Sequence, residues 1–153
     1  MSLISYRRGF TLIELLVAIA IVGLLASVVL LGLGGARLKG RDARRIADLR
    51  TVQNALEFYI NRNGVYPNNT GNWIALTTAL NNAGAGRIPT DPLNSGVNVY
   101  SYYTNSGTQD FYVLKAMLED ISNPALQNDT DGTFGSLTCD DTVTAAYCVR
   151  GGL

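Results

Sequence analysis

The feature that most constrains this chain is an uninterrupted apolar stretch close to its N-terminus. Residues 10–36 read FTLIELLVAIAIVGLLASVVLLGLGGA, and Glu14 is the only charged residue among them. A helix rises about 1.5 Å per residue, so this stretch is long enough to cross a bilayer core of about 30 Å. It is longer than the apolar region of a secretory signal peptide, about 7–15 residues. We therefore expect residues 10–36 to be a retained, single-pass transmembrane helix.

The helical pattern continues beyond the apolar stretch, through residues 37–63. Apolar side chains recur there at helical spacing, at Ile46, Leu49, Val52 or Gln53, Leu56, Tyr59 and Ile60. Charged residues are expected on the other faces, at Asp42, Arg45, Asp48, Arg50 and Glu57. Gly64 followed by Pro67 is typical of a helix end. The sequence predicts one helix of about 50 residues, whose first half lies in lipid and whose second half covers a soluble domain.

Residues 64–153 are expected to form a globular extracytoplasmic domain. Loop-forming residues dominate 64–96, apart from a short helix at 73–83 that Asn72 would cap. Aromatic and β-branched runs at 97–104 and 110–118 flank an Asn-Ser-Gly turn, which favours a β-hairpin. A third strand is predicted at 144–149. The expected fold class is α+β, a long N-terminal helix packed on a small antiparallel sheet.

Composition argues against catalysis and against nucleic-acid binding. The chain has 12 basic and 12 acidic residues, so no bulk charge attracts nucleic acid. It has no histidine, which removes the commonest general base and metal ligand. No glycine-rich phosphate loop or nucleophile motif is present in the sequence. We expect a protein that is not an enzyme.

Glu14 needs a partner if its helix is in lipid. A carboxylate inside an apolar span costs about 2.5–3.5 kcal/mol on insertion scales. Its side chain could reach the nearby interface. Alternatively, cleavage before Phe10 would create a positive α-amine about one turn away. A Glu at that spacing can meet the amine of an adjacent, axially shifted copy, which would set the stagger between the copies.

The N-terminus resembles the class III signal of type IV prepilins and type II secretion pseudopilins. The resemblance rests on Arg-Arg-Gly at 7–9 followed by Phe-Thr-Leu-Ile-Glu-Leu. It implies that residues 1–9 are a leader peptide and that an inner-membrane prepilin peptidase cuts between Gly9 and Phe10. It also implies N-methylation of Phe10 and pairing of Glu14 with the Phe10 amine of a neighbouring subunit. The expected product is a homo-oligomeric filament, made with an assembly platform and minor pilins or pseudopilins.

Two further segments resemble the major pseudopilins of type II secretion. They are RDARRIADLRTVQNALEFYINRNGVYP at 41–67 and IPTDP at 88–92, and the likeness fades after Leu118. By themselves, Tyr66-Pro67 and Asp91-Pro92 indicate only ordinary turns. The sequence favours the major pseudopilin, part of a piston-like filament that pushes folded exoproteins outward. The alternatives are a type IV pilus subunit for adhesion, motility or DNA uptake, and a membrane-anchored binding module.

The orientation in the membrane depends on two opposing signals. Five basic residues follow the span, at Arg37, Lys39, Arg41, Arg44 and Arg45, and they outnumber Arg7 and Arg8 before it. A count of positive charges alone would put the C-terminus in the cytoplasm. However, the cleavage signal must face a peptidase at the cytoplasmic surface. We therefore expect a protein of the inner (cytoplasmic) membrane with its C-terminus outside the cytoplasm.

The two cysteines, Cys139 and Cys148, form a close pair near the C-terminus. In an exported protein such a pair usually forms a local disulfide, whereas in a reducing compartment both would be thiols. We expect the disulfide, since it agrees with an extracytoplasmic C-terminal domain.

A candidate calcium site lies at residues 128–132, NDTDG. Asp129 and Asp131 supply hard oxygen ligands beside a turn glycine. Gln127 and Thr138 occupy outer positions where an EF-hand loop would carry acids. Major pseudopilins carry a C-terminal calcium loop, which supports the site by resemblance. Asp140 and Asp141 are further candidate ligands that the sequence does not decide. A solvated Asx turn remains the alternative.

Overall fold

The computed structural model describes residues 9–142 and 144–152, apart from the side chains of residues 29–33. Arg7 and Arg8 of the expected leader lie outside the described residues. The chain divides after Arg37 into two compact units.

A single helix, α1, runs from Leu12 to Asn63 and contains 52 residues, which confirms the predicted long helix. It ends as predicted, because the N–H of Gly64 donates to the carbonyl of Ile60 at 2.7 Å. Gly64 adopts a φ of +81°, which favours glycine at this position. Of the helices that the structure describes, none reaches the length and hydropathy of a membrane span. The transmembrane assignment of residues 10–36 therefore stays a prediction.

The remaining elements follow α1 within the second unit. In chain order they are α2 (Trp73–Asn82), β1 (Ser101–Thr104), β2 (Phe111–Met117), a 3₁₀ turn (Pro124–Asn128), β3 (Gly132–Phe134), β4 (Leu137–Cys139) and β5 (Ala146–Gly152). Three strands form an antiparallel sheet in the order β1-β2-β5, and β3 pairs with β4 in a separate hairpin. The α+β class is confirmed.

The short helix and the main hairpin lie where the sequence predicts them. Asn72 caps α2, since its Oδ1 accepts the N–H of Ala75 at 2.9 Å. The first strand of the hairpin is shorter than predicted and begins at Ser101 rather than at residue 97. The reason is that Ser95 and Asn98 form a bridge of their own just before it.

The core lies between α1, α2 and the three-stranded sheet. Leu49, Val52 and Leu56 of α1 are fully buried, which confirms the predicted apolar face. They belong to one cluster with Leu76 and Leu80 of α2 and with Tyr102, Tyr112 and Leu114 of the sheet. Burying an aliphatic side chain of this kind contributes about 1.5–3 kcal/mol, so this cluster fixes the second half of α1 on the domain.

Candidate functional site

The first turn of α1 is capped by residues of its own sequence. The Oγ1 of Thr11 accepts the N–H of Glu14 at 3.3 Å. In return, Oε2 of Glu14 accepts the N–H of Thr11 at 2.9 Å and its hydroxyl at 2.7 Å. This reciprocal arrangement is a capping box, which satisfies donors that the start of a helix leaves free. Glu14 thus has a partner in its own chain, and the Thr-x-x-Glu spacing is the sequence signal that was overlooked.

The surface around this cap is exposed and apolar. Phe10 is 90% exposed, and large apolar side chains remain exposed along α1 from Leu12 to Val28. Soluble monomers rarely expose a continuous apolar surface of this kind, which instead marks contact with a membrane or with other chains. Both described hydrogen bonds of the Glu14 carboxylate use Oε2, so its Oε1 has no partner among the described residues and can accept a donor from another chain.

The buried charges of the domain were not predicted from the sequence. Arg45 is fully buried, and its guanidinium donates to Asp91 at 2.7 Å, Asp42 at 2.9 Å and Glu119 at 2.7 Å. Asp42 is also fully buried, so the prediction that Asp42 and Arg45 lie on the outer faces of α1 is wrong. The reason is that opposite charges with good hydrogen bonds offset each other's desolvation, which a sequence pattern does not show.

These carboxylates also bind backbone groups. Asp42 accepts the N–H groups of Glu119 and Asp120, each at 2.9 Å. Asp91 accepts the N–H of Leu93 at 2.8 Å and is bound to Arg45, so it does more than form an ordinary turn. The ion pairs therefore fasten the loop around Asp91 and the segment after β2 to α1.

Glu119 has a second cationic partner on the same helix. Arg41 donates to Glu119 Oε1 at 2.7 Å, in addition to the bond from Arg45. The hydrogen bond from Arg41, followed by that from Arg45, lowers the pKa of Glu119 to about 2, against an opposing effect of burial. Glu119 therefore stays ionised and bound to α1 through most of the acidic range.

Three carboxylates converge at the C-terminal end of the domain. Oxygen atoms of Asp129, Asp131 and Asp141 all lie within 4.8 Å of one another. The sequence predicted Asp129 and Asp131 as ligands, and of the two further candidates the fold brings Asp141 to them. Burial raises the pKa of Asp129, opposed by a hydrogen bond from Cys148 and reinforced by the charges of Asp131 and Asp141. Such a group of hard oxygen atoms suits a calcium ion, which would relieve this repulsion.

Asp129 has the most restricted carboxylate of the three. Its Oδ2 accepts the N–H of Cys148 at 2.7 Å, a partner far along the chain rather than one in a local Asx turn. Its Oδ1 is buried and has no hydrogen-bond partner among the described residues. A buried, unsatisfied carboxylate oxygen is costly, and a cation beside it would remove that cost.

The disulfide predicted between the two cysteines is present. Cys139 ends β4 and Cys148 lies in β5, and their Sγ atoms are 2.04 Å apart. Both residues are buried in a small cluster with Val113 and Leu137. The disulfide therefore joins the β3–β4 hairpin to the main sheet.

Comparisons with known proteins agree with this architecture. Residues 4–30 match the family model described as "Prokaryotic N-terminal methylation motif". This motif, at the head of a long helix that continues into a small α+β domain, defines a pilin-like protein.

The chain is also 33% identical over 121 residues to the type II secretion system core protein G of Vibrio cholerae serotype O1. That alignment covers 72% of this chain and 81% of the relative. The core protein G of Klebsiella pneumoniae is 34% identical over 105 residues, covering 62% of this chain and 75% of the relative. That of Escherichia coli K12 is 41% identical over 61 residues, covering 40% and 42%. No solved structure matches the chain significantly. The chain belongs to the type II secretion system core protein G family, which confirms the resemblance to pseudopilins.

Proposed function

We propose that this chain is the major pseudopilin of a type II secretion system, a structural subunit that assembles into an extracytoplasmic filament. The observation that carries this proposal is the alignment to 81% of the Vibrio core protein G. The type IV pilus subunit and the membrane-anchored binding module are less favoured, because these relatives share the core protein G name. We further propose that assembly uses an inner-membrane platform and minor pseudopilins.

Processing at the N-terminus is part of the proposal. A prepilin peptidase would cut between Gly9 and Phe10, and Phe10 would then be N-methylated. The methylation motif supports this, since its match over residues 4–30 includes the cleavage position. N-terminal sequencing of the mature protein should begin at Phe10. A mature protein that retains residues 1–9 in the presence of the peptidase would contradict the assignment.

We place residues 10–36 in the inner membrane before assembly, with the C-terminal domain outside the cytoplasm. The excess of basic residues after the apolar stretch opposed this orientation. In the folded domain, however, Arg45 is neutralised by buried carboxylates and Arg41 by Glu119. Arg44 lies 3.8 Å from Asp48, so three of the five opposing cations are paired within the domain, which supports the proposed orientation.

Within the filament, we propose that Glu14 binds the Phe10 amine of a neighbouring copy. The exposed Phe10 supports this pairing, as does Oε1 of Glu14, which has no partner in the part of the chain that the structure describes. An amine that approaches Oε1 need not break the capping box, because Thr11 uses Oε2. The same carboxylate can therefore cap its own helix and bind the next subunit.

The experiment compares sheared-filament yield with the amount of processed, membrane-bound protein. Glu14→Ala should be inserted and cleaved, yet should not form filaments, because the amine would be left unpaired among apolar helices. Glu14→Gln should be less severe, since an amide still accepts a hydrogen bond. Thr11→Ala is the matched control, because it weakens the cap by about 1 kcal/mol and keeps the carboxylate.

Two outcomes would contradict the pairing. Normal filaments from Glu14→Ala would mean that apolar packing alone sets assembly. An equal loss in Thr11→Ala and Glu14→Ala would mean that the helix cap matters and the pairing does not.

We also propose that Asp129, Asp131 and Asp141 hold a calcium ion. The unsatisfied Oδ1 of Asp129 supports this, as does the convergence of three carboxylates on one point. The ion would supply positive charge that ties together two separate segments of the domain, the one before β3 and the loop after β4. Chelation should lower the melting temperature of the wild-type chain and leave that of Asp131→Asn unchanged. If neither calcium nor chelator changed the melting temperature of the wild-type chain, the site would be refuted.

A further inference from the structure

The disulfide and the proposed calcium site involve the same segments of backbone. Asp131 directly precedes β3, whose first residue, Gly132, pairs with Cys139 in β4. Asp141 lies two residues beyond Cys139, inside the loop that the disulfide closes. Two of the three carboxylates are therefore attached to the chain next to Cys139.

The third carboxylate is attached to the other cysteine. The N–H of Cys148 donates to Asp129 Oδ2 at 2.7 Å, and the carbonyl of Cys148 accepts the N–H of Thr130 at 2.9 Å. These two bonds hold the segment of Asp129 against β5. The covalent bond between Cys148 and Cys139 therefore connects the strand that binds Asp129 to the strand next to Asp131 and Asp141.

The loop closed by the disulfide contains two neighbouring acids, Asp140 and Asp141, whose carboxylates have different partners. The carboxylate of Asp140 accepts the N–H of Thr142 at 2.9 Å and so stabilises the loop itself. Asp141, in contrast, contributes its carboxylate to the cluster with Asp129 and Asp131. Because the two acids are neighbours, Asp140 is a natural control for Asp141.

We propose that the Cys139–Cys148 disulfide positions the calcium ligands, so that disulfide formation and calcium binding stabilise each other. The inference rests on the calcium site proposed above. With the disulfide intact, the three carboxylates are held close before the ion arrives. When it is reduced, the backbone of the loop is the one remaining covalent connection between the β3–β4 hairpin and β5, and part of the free energy of calcium binding is spent on ordering the loop and the hairpin.

The size of the coupling follows from the entropy of the closed loop. The cysteines are nine positions apart, and closing a loop of that size restricts the chain enough to change an equilibrium by at most about 100-fold. The non-covalent contacts of β4 and β5 retain part of this order in the reduced protein. We expect the Kd for calcium to rise by about 10- to 100-fold on reduction. By thermodynamic reciprocity, calcium must disfavour reduction by the same factor.

The first measurement is calcium binding by titration calorimetry on the purified full chain in detergent. The oxidised wild type is compared with Cys139→Ala/Cys148→Ala, in which two small apolar side chains replace the buried disulfide. Asp141→Asn should weaken binding in both backgrounds. Asp140→Asn should leave the Kd within about twofold, because Asn still accepts a hydrogen bond from Thr142 and surface substitutions have small effects.

The second measurement uses the wild-type disulfide and needs no cysteine variant to fold. Dithiothreitol reduces the bond to two thiols and is itself oxidised to a cyclic disulfide, and alkylation with mass spectrometry counts the thiols. Calcium should shift the reduction equilibrium toward the disulfide by about 10- to 100-fold relative to chelator. Asp141→Asn should lose this protection, whereas Asp140→Asn should keep it.

The outcomes separate the two proposals. The coupling would be overturned if calcium bound tightly with the same Kd with and without the disulfide. It would also be overturned if calcium did not change the equilibrium for reduction of the disulfide. Either result would leave the calcium site standing. An oxidised wild type that binds no calcium would overturn the site and the coupling together.

Discussion

Arg45→Met tests whether the buried ion pairs hold the domain together. Methionine keeps much of the apolar volume of the arginine stem and removes its charge. Arg45 binds Asp42, Asp91 and Glu119, and the first two are almost completely buried. The substitution therefore leaves two carboxylates in the interior without their cation, while the packing around them changes little.

The expected loss follows from what these carboxylates retain. Removing one partner of a buried ion pair costs about 3–5 kcal/mol. Asp42 keeps two backbone N–H donors, Asp91 keeps that of Leu93, and Glu119 keeps Arg41. These remaining bonds place the loss at the lower end, about 3–4 kcal/mol. For a unit of this size the melting temperature should fall by about 10–20 °C.

The assay is unfolding by urea or heat at constant calcium, followed by the fluorescence of Trp73, the single tryptophan of the chain. Arg50→Met is the control, because Arg50 lies exposed on the same helix and its loss should cost less than about 0.5 kcal/mol. Adding Asp91→Asn to Arg45→Met should recover part of the loss. A loss below about 1 kcal/mol, or one equal to that of the control, would refute the view that these buried charges depend on Arg45.

Two further predictions concern the same domain. Because the pKa of Glu119 is lowered from 4.5 to about 2, its contribution to stability should be complete above pH 4.5 and lost as the pH falls from 4.5 to 2. Melting temperatures across that range should fall less steeply in Glu119→Gln, and parallel curves would contradict the prediction. Gly151→Ala should destabilise the domain by about 1–3 kcal/mol, because its Cβ would overlap the hydroxyl of Tyr112. Gly107→Ala is the control in urea unfolding, since a Cβ there meets nothing within 4 Å, and equal losses would count against the overlap.

Local signals in the sequence were enough to predict α1, α2 and the three strands of the main sheet, although not the 3₁₀ turn or the β3–β4 hairpin. The apolar period, the glycine after Asn63 and the cap at Asn72 are contiguous features, so each acts over a few residues and needs no partner from afar. The hairpin signal around residues 105–107 is local in the same sense. The capping box of Thr11 and Glu14 is local as well, and its spacing would have revealed it.

The tertiary structure decided which charges are buried and which acids meet. Arg45 and Asp42 read as surface residues of an amphipathic helix, because the carboxylate of Asp91 that compensates Arg45 comes from a distant loop. Asp141 lies close to Asp129 only in the folded domain, in which Cys139 is also bonded to Cys148. The helical pattern of a sequence shows which residues are polar. Whether a polar residue is buried depends on the partners that the folded chain brings to it. This is why the sequence determined the helix, the leader motif and the sheet, and why only the fold assembled the ion pairs and the three-carboxylate site.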